Sequence, residues 1–80
     1  MRYTVVLEAM QEPEYEGWYN AHIPTLDLTT HGIGVDGALA AATDLIGGWL
    51  AERRAHGEPI PAEARTLVAQ VEIDDAIHAA

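Results

Sequence analysis

Hydrophobic and polar residues alternate with a period of two towards both ends of this chain and with a period near 3.6 in between. Near the start, Tyr3, Val5, Leu7 and Ala9 fall on one side and Thr4, Val6 and Glu8 on the other, which predicts a strand over residues 2–10. Gln11 to Glu14 contains Pro13 and two glutamates and reads as a turn. Tyr15 to Ile23, with Trp18 and Tyr19 at its centre, predicts a second strand, and the short link predicts an antiparallel hairpin. Pro24 has no amide hydrogen to give to a ladder, so it ends that strand or marks an edge. Leu26 to His31 alternates again and predicts a third strand, punctuated by Gly32 and Gly34.

From Val35 the period changes. Val35, Leu39, Ala42, Ile46, Trp49 and Arg53 recur at helical spacing, and Ala38, Leu45 and Leu50 widen the stripe. Asp36 in the first turn and Arg53, Arg54 and His56 in the last suit the helix dipole. Gly57 is placed to cap the end, and Pro59 and Pro61 prevent continuation, so a helix is expected from about residue 35 to about residue 56. Gly47-Gly48 inside it is read either as a tolerated weak spot or as a point of close packing on the sheet or on a second chain. Pro59-Ile60-Pro61 is a rigid extended connector. Leu67, Ala69, Val71 and Ile73 alternate and predict a fourth strand, followed by a short tail.

The expected architecture is therefore α+β, ordered β-β-β-α-β, with one domain over residues 1–73 and a tail over 74–80. A single helix covers only one face of such a sheet. The other face keeps Val6 and Trp18, and an exposed face with an aromatic residue is a binding surface or an oligomer interface. If Tyr19, Ala21 and Ile23 face the helix, then Trp18, Asn20 and His22 face outward with Val6. Glu12, Glu14 and Glu16 cluster at the hairpin tip, as a soluble turn or as a contact for a basic partner. Val6, Glu12, Glu14, Glu16, Trp18, Asn20 and His22 thus form the expected interface.

Charge sharpens that picture. Thirteen acidic and four basic residues give a formal net charge of −9, which disfavours direct binding to a phosphate backbone and favours encounter with a basic partner. The chain has no cysteine, so neither disulfides nor thiol chemistry are expected, in keeping with a cytoplasmic location. The opening residues do not read as a signal peptide, and no run is long enough to span a membrane.

Little points to catalysis. His22, His31, His56 and His78 include no i, i+4 pair of the helical metal-binding kind, although His22 and His31 end consecutive strands and could come close. Glu8, Asp27, Asp36 and Asp44 could be asked to bind Mg²⁺ for phosphodiester cleavage, but Asp36 and Asp44 lie about 80° apart round a helix. Surface charge is the simpler reading of these carboxylates. No nucleophile elbow, phosphate-binding glycine loop or nucleotide fingerprint occurs. No catalytic residue, metal site or cofactor is expected.

The order of motifs resembles one family. A hairpin opening Met-Arg-Tyr-Thr-Val-Val-Leu-Glu leads to an aromatic strand ending in Ile23-Pro24. Leu26, the Thr29-Thr30 pair and Gly32 follow, then a helix opening Asp36-Gly37-Ala38-Leu39, then Pro59-Ile60-Pro61. Over roughly residues 1–73 this is similar to the HicB antitoxins. Gly34 and Gly37 stand where that family usually has a serine or threonine cap and a glutamate. The resemblance implies a partial ribonuclease-H-like fold and a homodimer or homotetramer. It also implies an antitoxin that covers a small basic HicA-type ribonuclease toxin. The family's frequent C-terminal DNA-binding module has no room after residue 73, so a short form without it is expected. Two other readings compete: a homo-oligomeric structural or regulatory module with no toxin, and a metal-dependent nuclease.

Overall fold

The computed structural model describes residues 1–75; residues 76–80, which include His78 and most of the expected tail, lie outside the described residues. Three strands, β1 (Val6–Ala9), β2 (Trp18–Ile23) and β3 (Leu28–Ile33), form one antiparallel sheet in the order β1-β2-β3. A 3₁₀ turn over Pro13–Tyr15 precedes β2, and one long helix, α1 (Gly34–Ala55), follows β3. The α+β class with a hairpin-based sheet and one long helix is as expected.

The register sets the two faces. Leu7 pairs with Ala21 and Ala21 with Thr30, while Val6 pairs with His22 and His22 with Thr29. Side chains alternate across a strand, so Leu7, Tyr19, Ala21, Ile23 and Leu28 fall on the face under the helix. The core there is made of small residues. Ala21, Ile23, Leu26, Ala38 and Ala42 are buried together, and Ile23 is the largest fully buried side chain. Tyr3, Val5, Leu45, Ile46 and Trp49 pack around them.

Small residues let the helix start close to the sheet. A Cβ on Gly32 would overlap the Gly37 carbonyl group and the Ala38 amide, so β3 and the first turn of α1 meet backbone to backbone. This turns the helix relative to the expected stripe. Ala38 and Ala42 take its centre, while Val35 and Leu39, expected inside, are more than a third exposed. Gly47 and Gly48 meet nothing that a Cβ would touch, so packing within the protomer does not require them.

The helix ends as its sequence predicts. Gly57, at φ 65°, donates its amide to the Arg54 carbonyl, and Glu58 donates to the Arg53 carbonyl at 2.9 Å. This is a Schellman closure. Arg53 fixes the corner: its guanidinium lies 4.8 Å from the Trp49 ring, 3.0 Å from the Glu58 carboxylate, and donates to the Pro59 carbonyl at 2.9 Å.

Three expected strands have shifted bounds and one expected strand is absent among the described residues. The β1 ladder is shorter than residues 2–10. Residues 15–17, expected in the second strand, belong to the 3₁₀ turn and its exit, because Pro13 favours a tight turn and Gly17 takes φ 84°. The third strand begins at Leu28 rather than Leu26. Leu26 and Asp27 donate back to the Ile23 and Pro24 carbonyls, and Asp27 sits at φ 52°. The fourth strand over residues 67–73 does not form: the segment joins no ladder among the described residues, and Leu67, Val68, Val71 and Ile73 are exposed. Alternation gives a segment strand character, but a strand exists only where a neighbour takes its hydrogen bonds.

Candidate functional site: the open face of the sheet

The face away from α1 is built by the alternate residues of the same strands: Val6 and Glu8 from β1, Trp18, Asn20 and His22 from β2, Thr29, His31 and Ile33 from β3. Aromatic rings gather at one end of it. Tyr15 meets Trp18 edge to face with centroids 6.3 Å apart, and Trp18 lies 5.6 Å from the His31 ring. Trp18 pairs across the sheet with Ile33, which is 67% exposed. Such an apolar patch next to polar strand residues is what association surfaces present.

The acidic residues flank this end. Glu14 lies in the 3₁₀ turn that carries Tyr15, and Glu12 and Glu16 bracket that turn. All three are exposed, and neither of the ion pairs among the described residues, Arg53–Glu58 and His56–Glu52, involves them. An un-neutralised carboxylate row beside an aromatic cluster suits a cationic side chain with an apolar stem, such as arginine.

The other end of the face is more constrained. His22 Nδ1 lies 3.0 Å from Thr29 Oγ1 and 3.2 Å from the Leu28 carbonyl oxygen. His22 and His31 are diagonal neighbours on adjacent strands, but one ring is engaged with Thr29 and the other with Trp18. The carboxylates weighed for Mg²⁺ are not gathered. Glu8 is on the open face, Asp27 in the β2–β3 turn, and Asp36 and Asp44 on the helix beyond the sheet. Among the described residues no group of three His, Asp or Glu side chains is arranged to hold a metal ion.

The structure therefore brings Trp18, Asn20, His22 and Val6 onto one face, with Glu12, Glu14 and Glu16 at its edge. Tyr15, His31 and Ile33 belong to the same surface and were not singled out for it. His31 is already in phase with Thr29 in the expected third strand, and extending that strand two residues adds Ile33 to the same face.

A second polar cluster ties the chain after the helix to the start of the sheet. Glu63 accepts from the Thr4 amide, from Thr4 Oγ1 at 2.6 Å and from Thr25 Oγ1 at 3.2 Å. The Thr4 hydroxyl and amide together hold its carboxyl below the ordinary glutamate value. Tyr3 donates its hydroxyl to the Pro61 carbonyl beside it. This cluster is a structural latch, with each polar atom matched. No helix among the described residues is long and apolar enough to cross a membrane.

Compared with family models, curated proteins and solved structures, the chain matches none.

Proposed function

We propose that this domain is a HicB-like antitoxin or an orphan relative. On this reading it works by occlusion, laying its open sheet face over a small basic ribonuclease of the HicA type. The observation that carries the proposal is the pairing of a Tyr15–Trp18–His31 cluster, with Tyr15 and His31 exposed and Trp18 half-buried, with unpaired carboxylates in a chain of net charge −9. The aromatic rings would supply buried contact area and the carboxylates would steer a basic partner. Motif order supports the family reading: the Ile23-Pro24 strand end, the Gly32 strand end and the Asp36-Gly37-Ala38-Leu39 helix opening. A three-stranded antiparallel sheet under one long helix is compatible with a partial ribonuclease-H-like fold. No bond is made or broken by the domain itself.

The test is a capture from lysate at low salt with the full chain as bait, followed by a ribonuclease assay of the captured protein. The expected result is a small basic ribonuclease, inhibited by one equivalent of this chain and released as salt screens the attraction. Trp18→Ala should weaken its capture by about 2 kcal/mol, or about thirtyfold in Kd. A captured protein without ribonuclease activity, or a ribonuclease that stays active when bound, would overturn the proposal.

A further inference from the structure

We infer that residues 64–73 form an exchange arm that adds as a strand to the outer edge of β1 in a second copy of this chain. The inference uses neither the toxin nor the open face, and it stands or falls separately from the antitoxin reading.

Three observations converge on it. The first is the arm itself. Leu67 is 77% and Val71 83% exposed, in an alternating segment that joins no ladder among the described residues. A protein that exposes a run of this kind meets a partner with it. The radius of gyration, 16.2 Å, exceeds the about 12 Å of a compact chain of this length, as a projecting segment requires.

The second is a vacancy of matching shape. Among the described residues the outer edge of β1 is unpaired, and an unpaired edge is a template for another strand. Beside it an apolar groove separates Met1, Tyr3 and Val5 from Leu39, Ile46 and Leu50 of the helix. A strand added to β1 would roof this groove. Leu67, Ala69, Val71 and Ile73 then point towards the helix, in phase with Val5 and Leu7, and Gln70 and Glu72 point the other way with Glu8. The free edge of β3 offers no such groove, because α1 packs directly against that strand at Gly32.

The third is the way the chain leaves the protomer. Pro59 and Pro61 stiffen the connector, Arg53 holds its start, and the Glu63 latch holds it to Thr4 and Thr25. Two residues before β1, the Thr4 amide is taken by the Glu63 carboxylate, and beyond this contact Leu67, Val68, Val71 and Ile73 are exposed. The arm starts from this fixed point without joining its own sheet, and on this inference a second copy supplies both the edge and the groove it fits. Two copies can satisfy each other in this way with the same contact made twice.

The experiment uses the full chain. Sedimentation equilibrium should give twice the 8.7 kDa of one chain. In a mixture of ¹³C-labelled and unlabelled chains unfolded and refolded together, isotope-filtered NOEs should connect the methyls of Leu67, Val71 and Ile73 to Val5, Leu39 and Ile46 of the other copy. Val71→Lys should return the mass to that of one chain while the helical circular dichroism is kept, since Val71 lies outside the protomer core. A monomeric wild-type chain, NOEs that arise only within one chain, or a Val71→Lys dimer as tight as wild type would each overturn the inference.

Discussion

The two faces of one sheet obey opposite rules. Under the helix the strands present Ala21 and Ile23, and the helix answers with Ala38 and Ala42, so backbones approach closely and little space is left. On the other side the same strands present Trp18, His31 and Ile33, large groups that no helix among the described residues covers. The covered face holds the fold through small residues and tight contact; on the proposed reading the open face carries the surface that meets a partner. A substitution should therefore be felt as lost stability on one side and as lost association on the other.

The largest effect should come from Ile23, the largest fully buried side chain. Ile23→Ala is expected to cost about 3 kcal/mol, read as a lower urea midpoint. Gly32→Ala comes next, at about 2 kcal/mol, because its methyl must push the first turn of α1 off β3. If Gly32→Ala melts like wild type, the close approach is not what seats the helix. Trp18→Ala sharpens the contrast: folding should change by only about 1 kcal/mol, the loss of its ring contacts with Tyr15 and His31, while partner capture falls. A Trp18→Ala chain as unstable as Ile23→Ala would erase the distinction between the faces.

The smallest effect should be at the Glu63 latch and should depend on pH. Its carboxyl is held below the ordinary value of 4.5 by the Thr4 hydrogen bonds. A carboxyl lowered in the folded state stabilises the fold above its unfolded value, and that stabilisation is lost as pH falls through the folded value. The melting difference between wild type and Glu63→Gln should thus be constant near neutrality and close on acidification below about pH 4.5. A gap that persists at low pH would assign the latch to packing instead of charge.

Much of this was legible from residue order. The helix was bounded to within about a residue because Gly34 and Gly57 stand at its ends, and Gly57 takes the left-handed conformation its role requires. The open-face set Val6, Trp18, Asn20 and His22 followed from parity alone once Ala21 and Ile23 were assigned to the helix side. What was not legible needed neighbours. Val35 and Leu39 read as core because the rotation of α1 is fixed by a backbone contact between Gly32 and Gly37 that periodicity does not encode. Alternation starts the third strand two residues early because Leu26, though buried, is buried from a turn. Leu67 to Ile73 read as a strand because alternation is local, whereas pairing requires an edge in reach.

The corner at Arg53, with the two prolines and the Glu63 latch, has a consequence for how the edge of β1 is filled. A flexible tether would hold residues 64–73 near their own sheet at a high effective concentration, and the edge would close at any dilution. A stiff connector that fixes where residues 64–73 start removes that advantage wherever the fixed geometry does not lead back to their own edge. On the exchange reading, occupancy of the edge then follows the abundance of the chain itself, so the domain is complete when the protein is plentiful and open-edged when it is scarce.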